Sequence, residues 1–308
     1  MENKIITLKG PTASGKTNHA SKLIKSYPLE IISVDSVMVY KGLDIGSAKP
    51  TSEELKLCPH HLIDVCEPTE NYSAGEFYQD AQQLIQSIIR RGKIPFLVGG
   101  TMMYFRVLER GISQLPSANP TVRNQIESEA ADNGWAKLHQ KLHRIDPIAA
   151  NKIDPSDKQR IQRAIEVYRI TGMPISSFHD EHNKKMDYQR LDLSLVPSKR
   201  DILYKHIENR FDAMLDQGLV SEVGHLLSQD SLTSSHNSLR SVGYKQICEF
   251  IENKCTHDEA RANAIVATRR LAKRQLTWLR SDAGSLVFDP LHRGSEVDIA
   301  NKVSEFLN

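Results

Sequence analysis

The chain has 308 residues, of which 39% are apolar and 25% charged, as in an ordinary globular protein of one large or two modest domains. No apolar stretch approaches the roughly 18 residues that span a bilayer, which excludes a membrane span. The formal net charge is only +2, so it indicates no partner, and any nucleic-acid site must be a local patch.

The first hundred residues alternate between strand and helix patterns. The strands are predicted at "IITLKG", "EIISVD" and "IPFLVGG", and the helices at 16–25 and 74–90. Short apolar runs separated by helices predict a parallel sheet covered on both faces. Ligands in such sheets bind beyond the carboxyl ends of the strands. Each of the three predicted strands ends at a segment with candidate ligand-binding residues.

From residue 115 to 189 the pattern is helical and polar, which predicts an all-helical insertion. Asp154 before Pro155 is a good helix start and Gly172 a good stop. The strand "LDLSLVP" then returns to the sheet, and helices follow at 199–217, 219–228, 243–252 and 257–281. A last strand is predicted at "SLVFDP" and a closing amphipathic helix at 297–307.

The predicted fold is therefore α/β. It consists of a P-loop NTPase-like core with a parallel sheet flanked by helices, plus the helical insertion. The core comprises residues 1–114 and 190–308, and the insertion residues 115–189.

The segment "GPTASGKT" directly follows the first predicted strand and opens a helix. It fits the phosphate-loop pattern G-x-x-x-x-G-K-[ST], in the context that this pattern requires. Its backbone N–H groups and the helix N-terminus favour an anion. Lys16 supplies a positive charge to phosphate oxygens, and the hydroxyl of Thr17 is a candidate ligand for Mg²⁺. The predicted phosphate-binding residues are Gly10, Pro11, Thr12, Ala13, Ser14, Gly15, Lys16 and Thr17.

Two further strands end beside this loop, at Asp35-Ser36 and at Gly99-Gly100-Thr101. The Asp35 carboxylate suits either of two roles, holding magnesium or taking a proton from a nucleophile. The residues alone leave both open.

The cysteines and the N-terminus indicate a cytoplasmic protein. Cys58, Cys66, Cys248 and Cys255 form no C-x-x-C pair, which predicts reduced thiols, and "MENKIITLKG" is unlike a signal peptide. The segment "CPHHLIDVC" gathers two cysteines and two histidines, but its spacing matches no common zinc motif. We expect a loop whose histidines pack or hydrogen-bond near the active site.

The segment from Arg261 to Arg280 contains six basic residues and no acidic one, which is typical of a nucleic-acid contact. Such a face is often merely solvated when it is taken alone. Within it, Leu276 and Trp278 are expected to pack inward. In the insertion, "DKQRIQR" places Gln159, Arg160 and Arg163 on one side of a helix.

Taken together, these segments resemble the tRNA dimethylallyltransferases, members of the IPP transferase family. The resemblance covers most of the chain, in the family's order, through "GPTASGKT", "DSVMVYKGLDIGSAKP", "PHHLID", "VGGTMMY", "DKQRIQRAIEVYRITG", "RSVGYKQ" and "ATRRLAKRQLTWLR". Small departures are Ser47 in place of threonine, Met38 in place of glutamine, and the absence of glycine after Thr101.

The resemblance implies transfer of a dimethylallyl group from dimethylallyl diphosphate to N6 of the adenine at position 37, beside the anticodon. Lys16, Arg210 and a Thr17-bound Mg²⁺ would hold the diphosphate, which leaves. Asp35 would take the proton from N6, and Thr101 would help to hold the diphosphate. Taken alone, Arg210 reads as a solvated helix charge.

The resemblance also implies contacts with a tRNA anticodon stem-loop, clamped by the insertion, in an enzyme expected to act as a monomer. The implied tRNA-binding residues are Asp35, Ser36, Val37, Met38, Thr101, Arg123, Gln159, Arg160, Ile161, Gln162, Arg163, Arg240, Ser241, Val242, Gly243, Tyr244, Lys245, Lys273, Arg274, Gln275, Leu276, Thr277, Trp278, Leu279 and Arg280.

Three alternatives stay open. A prenyltransferase of free adenine nucleotides needs neither the basic helix nor the insertion. A small-molecule P-loop kinase needs an arginine-rich lid and a pocket for an acceptor hydroxyl. A non-catalytic RNA-binding module leaves the convergence of the phosphate loop, Asp35 and Thr101 unexplained.

Overall fold

The computed structural model describes residues 3–113, 115–179 and 188–308. In chain order the elements are β1 (Lys4–Lys9), α1 (Lys16–Ser26), β2 (Leu29–Val34), α2 (Ser52–Leu57), β3 (His60–His61), α3 (Ala74–Arg90), β4 (Ile94–Gly99), α4 (Met102–Arg110), α5 (Pro120–Asn133), α6 (Trp135–Ile145), α7 (Pro147–Lys152), α8 (Lys158–Thr171), a 3₁₀ turn (Ile175–His179), β5 (Gln189–Leu195), α9 (Arg200–Asp216), α10 (Leu219–Leu227), α11 (Tyr244–Ile251), α12 (His257–Ser281), β6 (Leu286–Phe288) and α13 (Ser295–Leu307).

The strands form one six-stranded sheet in the order β3-β2-β4-β1-β5-β6, and every pair is parallel. The central strands are apolar and buried, as expected for a parallel sheet with both faces covered. In register, Lys9 of β1 and Val34 of β2 both pair with Gly99 of β4. The carboxyl ends of β1, β2 and β4 therefore meet at one edge. The predicted parallel α/β fold is confirmed.

The chain divides into two compact units, one of Met1–Leu108 with Met186–Asn308 and the other of Glu109–Lys185. The predicted division lay at 115–189. The smaller unit has its own apolar core, which includes Ile126, Leu142 and Ile165. Between residues 109 and 179, residue 114 excluded, its regular elements are all helical.

The helix of the insertion that carries "DKQRIQR" begins later than predicted. Asp154 instead accepts hydrogen bonds from Ser156, and the helix α8 starts after Asp157, whose side chain accepts from the N–H of Arg160. Its predicted end is confirmed, since Gly172 takes the left-handed conformation (φ 73°) that glycine adopts without strain.

Three elements were not predicted, namely α2, the two-residue edge strand β3 and the nine-residue helix α4. Of these, α2 and β3 are too short to leave a periodic signal in the sequence. In the larger unit, α9 and α12 pack through Leu203, Ile207, Ala272 and Leu276. Along the described residues, no helix combines the length and apolar character needed to cross a membrane.

Candidate active site

The phosphate loop joins β1 to α1 and has the backbone of an anion cradle. Ala13 (φ 61°) and Gly15 (φ 83°) adopt left-handed conformations that turn successive amides toward one side. Among the described residues, the N–H groups of Gly15, Lys16 and Thr17 meet no protein acceptor, and the first turn of α1 holds no acidic side chain. The loop therefore offers free donors and a positive helix end to an anion.

The loop opens into a cavity of about 490 Å³ within the larger unit. Its lining includes Thr12, Ala13, Lys16 and Thr17 from the loop and helix α1, Asp35, Ser36, Val37 and Met38 after β2, Gly100 and Thr101 after β4, Arg210 from α9, and Arg274, Gln275 and Trp278 from α12. The structure thus brings together the predicted phosphate loop, Asp35, Thr101 and Arg210.

Asp35 is held in place by the backbone that follows it. Its Oδ1 accepts hydrogen bonds from the N–H groups of Val37 (2.8 Å) and Met38 (3.2 Å). The carboxylate keeps unused acceptor capacity because each oxygen can accept more than one hydrogen bond. It lies half-buried at the cavity wall, where it can receive a proton.

Three charged side chains interact across the cavity. Burial, followed by the charge of the nearby Arg210, lowers the pKa of Lys16 to about 7, and the charge of Asp35 opposes both effects. Lys16 Nζ donates to the carbonyl of Pro11 at 2.7 Å. Burial also lowers the pKa of Arg210. With Lys16 protonated, two cations face one carboxylate, so the site favours an added anion.

Arg210 is not the freely solvated helix charge that its sequence alone indicates. Its Nη2 lies 3.5 Å from the carbonyl of Ser47, in the loop after Asp44. This loop is fixed by Glu222, whose carboxylate accepts from the N–H groups of Asp44, Ile45 and Gly46.

Tyr244 also stabilises the loop that follows Asp44. Its hydroxyl donates to Glu222 at 2.6 Å, and burial followed by the Glu222 charge raises the pKa of Tyr244. A Cβ at Gly46 would lie 2.6 Å from the Tyr244 ring, so only glycine fits there. Sequence reasoning missed Glu222, a single acid on α10 that no motif marks.

The segment 240–245 divides by burial. Gly243 and Tyr244 are buried, and Gly243 lines the cavity. Val242 lines the cavity, Ser241 is half-buried, and the side chains of Arg240 and Lys245 are exposed.

Helix α12 also presents only some of the predicted contacts. Gln275, Leu276 and Leu279 are buried, and of these three Gln275 lines the cavity. Trp278 does not pack inward as the sequence predicts. Its side chain is 37% exposed, and the Arg106 guanidinium lies over its ring at 5.4 Å. The exposed side chains of the segment are Lys273, Arg274, Thr277, Trp278 and Arg280.

Acidic residues of α9 interrupt the basic face of α12. Arg261 pairs with Asp212 at 2.5 Å and with Glu208 at 3.5 Å, and Arg269 pairs with Glu208 at 3.3 Å. The sequence could not show this because the partners are about 50–60 residues away. Arg270 is exposed and has no ion pair within the described ranges.

In the helical unit, Arg123 and Arg163 both bind the fully buried carboxylate of Glu166. The two arginines therefore have a structural role, in addition to the tRNA contact that we expect of them. Ile161 lies in the unit's core, with no exposed surface for a contact. Gln159 and Arg160 are exposed, and Gln162 donates to Glu127.

The cysteine–histidine segment has no metal-binding geometry in the part of the chain that the structure describes. His60 Nδ1 donates to the carbonyl of Cys58 at 2.6 Å, and His61 lies 3.0 Å from Glu30. Cys58 and Cys66 are buried. His60 lines the cavity, and burial lowers its pKa.

Comparison with known proteins agrees with this geometry. The family model of the IPP transferases (IPPT) matches residues 38–282. The chain is 48% identical to a tRNA dimethylallyltransferase of Coxiella burnetii over 98% of this chain and 96% of that protein. It is 46% identical to one of Legionella pneumophila (strain Paris), over 100% of this chain and 98% of that one.

Solved structures show the same likeness. The full-length tRNA isopentenylpyrophosphate transferase of Bacillus halodurans superposes with a TM-score of 0.73 at 35% identity, over 99% of this chain and 97% of that one. A eukaryotic dimethylallyltransferase acting on tRNA gives a TM-score of 0.84 at 26% identity, over 99% of this chain and 79% of that one. With the phosphate loop, Asp35 and Thr101 around one cavity, these matches show that the chain belongs to the IPP transferase family.

Proposed function

We propose that this protein transfers a dimethylallyl group from dimethylallyl diphosphate to N6 of the adenine at position 37 of tRNA, next to the anticodon. The observation that carries the proposal is the cavity in which a phosphate loop faces both Asp35 and Thr101. The names of the relatives support the same reaction.

The diphosphate end of the substrate is assigned to the loop. The free amides of Gly15, Lys16 and Thr17 bind its oxygens, together with the side chains of Lys16 and Arg210. As the bond between the allylic carbon and the diphosphate oxygen breaks, negative charge grows on the leaving group. Donors fixed before the reaction stabilise that charge most effectively. Arg210 suits the task because a guanidinium binds phosphate oxygens through two N–H groups.

The acceptor end is assigned to Asp35. The N6 nitrogen forms a bond to the allylic carbon while diphosphate departs, and the N6 proton passes to the Asp35 carboxylate. Thr101 holds the diphosphate near the reacting carbon, and its Oγ1 accepts the Ser36 N–H at 3.1 Å. An adenine stacked in a stem-loop cannot reach this cavity, so it must be flipped out of the stack.

The residues present fit a magnesium ion bound chiefly by the substrate. Mg²⁺ keeps several waters and takes one or two protein oxygens together with substrate phosphates. The exposed Thr17 hydroxyl at the start of α1 is the protein ligand that we assign. When bound, the ion would neutralise charge on the diphosphate oxygens.

RNA contacts are proposed for the exposed side chains among the predicted set. In the larger unit these are Ser36, Arg240, Lys245, Lys273, Arg274, Thr277, Trp278 and Arg280, and in the helical unit Gln159 and Arg160. The proposed diphosphate-binding and proton-accepting groups all come from one chain. The reaction therefore needs no second subunit, and we propose a monomer.

The test is mass spectrometry of unmodified tRNA incubated with the protein, Mg²⁺ and isotopically labelled dimethylallyl diphosphate. We expect one labelled dimethylallyl group on the adenine beside the anticodon and release of pyrophosphate. Two parallel reactions address the alternatives. Label on free AMP but not on tRNA would favour the nucleotide prenyltransferase, and phosphoryl transfer from ATP to a small-molecule acceptor would favour the kinase.

A further inference from the structure

Gln275 on α12 uses both ends of its side-chain amide to join two parts of the active site. Its Oε1 accepts from the backbone N–H of Thr12 at 2.9 Å, and its Nε2 donates to the carbonyl of Gly100 at 2.8 Å. The residue is only 8% exposed, so water cannot readily replace either hydrogen bond. Gln275 therefore ties the phosphate loop to the end of β4.

The side-chain amide of Gln275 fills the space beside the Gly100 Cα. A Cβ at Gly100 would lie 2.7 Å from Gln275 Nε2 and 3.2 Å from the carbonyl of Gly10. Thr101 follows directly and contributes its hydroxyl to the cavity. A shift of Gln275 would consequently move both the loop amide of Thr12 and the turn that carries Thr101.

The neighbours of Gln275 along α12 include exposed side chains, two of which, Arg274 and Trp278, also line the cavity. Lys273, Arg274 and Trp278 are exposed, whereas Gln275 and Leu276 are buried. All of them belong to one continuous helix, His257–Ser281. The exposed side chains and the buried amide of Gln275 therefore belong to one continuous element, so a contact that fixes the helix also fixes this amide.

We propose that Gln275 is a positioning residue that couples nucleic-acid contact on α12 to the shape of the phosphate loop. This inference rests on the proposed function, because it assigns RNA to the exposed face of the helix and diphosphate to the loop. RNA bound to the exposed face holds α12 in place, and Gln275 then holds the Thr12 amide and the Thr101 turn in the arrangement that binds diphosphate. Anion binding at the loop and RNA binding at the helix are therefore cooperative, and the cooperativity is reciprocal.

The experiment measures the Kd of inorganic pyrophosphate with Mg²⁺ by calorimetry, with and without a saturating anticodon stem-loop RNA. For the wild type we expect RNA to tighten pyrophosphate binding at least about fivefold, the lower end of typical coupling between sites. In Gln275→Met, which keeps similar volume but neither hydrogen bond, we expect this factor to fall to about one. The Kd for RNA alone should change less than about threefold.

Val303→Ala is the matched control for a loss of stability alone. Val303 is fully buried in the core cluster formed by the sheet, α1 and α13, and it is not among the residues that line the cavity. This variant should unfold at a lower temperature and keep the full RNA effect. An unchanged factor in Gln275→Met, an equal loss in Val303→Ala, or no RNA effect in the wild type would each overturn the inference.

If Gln275→Met does not fold, Gln275→Glu carries the test. A carboxylate still accepts from Thr12 but cannot donate to Gly100, so the RNA effect should again be lost. Prenyl transfer by the wild type is measured in parallel. Its absence would count against the proposed function, whereas the pyrophosphate titrations judge the coupling through Gln275.

Discussion

The backbone N–H of Ser36 donates to Thr101 Oγ1 at 3.1 Å, while the Thr101 N–H donates to the carbonyl of Val34 at 3.2 Å. The ends of β2 and β4 are thus tied to each other on both sides of Asp35. The carboxylate is fixed between two neighbouring strands rather than on a free loop. A site held by rigid elements keeps the geometry that proton transfer requires.

Asp35→Asn is the sharpest test of the proton acceptor. The amide oxygen of asparagine still accepts from Val37 and Met38, so the turn should persist while the basicity disappears. We expect kcat for prenyl transfer to fall about 10²–10⁴-fold, the usual contribution of a general base. The affinity for tRNA should stay within a few-fold. Turnover close to that of the wild type would show that Asp35 is not the base.

The lowered pKa of Lys16 predicts proton uptake when diphosphate binds. With a pKa of about 7, Lys16 is mostly neutral at pH 8 in the free protein. A bound anion favours the charged amine and raises the pKa, so binding takes up a proton and weakens as the pH rises above 7. Calorimetry of pyrophosphate binding in two buffers of different ionisation enthalpy measures the uptake.

Lys16→Arg separates this proton from those taken up by pyrophosphate itself. An arginine stays charged throughout the range, so this variant should take up nearly one proton less than the wild type at pH 8. The same uptake in both proteins would mean that Lys16 is already protonated before the anion binds.

Much of the fold and of the cavity could be predicted because their signals are local. The phosphate loop has a fixed spacing, and Asp35 and Thr101 each follow an apolar strand. Parallel strands bring such ends together at one edge. Position in a sequence motif was therefore enough to predict which residues meet.

Burial and pairing between distant segments could not be predicted. The family resemblance groups Lys273 to Arg280 as one contact, yet helical geometry turns Gln275, Leu276 and Leu279 inward. Glu208, on α9, neutralises Arg269 on α12, and no local pattern marks that pair. A motif marks the segment that matters, but packing decides which side chains reach a ligand.

The exposed basic residues of α12 should account for most of its contribution to RNA binding. Replacing Arg270 and Lys273 together with glutamine removes two cations that have no ion pair among the described residues, so the slope of log K against log salt should shrink by about 1.4–1.8. Filter binding of the stem-loop RNA at several salt concentrations measures this slope.

Arg261→Gln is the matched comparison on the same helix. Arg261 is already paired with Asp212 and Glu208, so its loss should alter the salt slope much less. A decrease of about 0.7–0.9 in the slope for Arg261→Gln, the full value for one cation, would mean that the pairs on α9 open when RNA binds.

Arg160 and Arg163, one helical turn apart on α8, should behave differently when each is changed to alanine. Arg163 donates to buried Glu166 at 2.7 Å, whereas the Arg160 side chain is 66% exposed. Burial raises the pKa of Glu166, but the hydrogen bonds from Arg123 and Arg163 outweigh it and leave the pKa below its usual value. The resulting stability is present above the unfolded pKa of about 4.3 and is lost as the pH falls through the folded pKa.

We expect Arg163→Ala to lower the free energy of unfolding at pH 7 by about 1.5–3 kcal/mol, the range for a hydrogen bond to a charged group. This deficit should shrink as the pH falls from the unfolded pKa of about 4.3 through the lowered folded pKa of Glu166. Arg160→Ala should change stability by less than about 0.5 kcal/mol, as exposed pairs do, yet weaken RNA binding. Urea unfolding at pH 7 and pH 3.5, with RNA titrations, checks both. A stability loss confined to Arg160→Ala would contradict the assigned structural role of Arg163.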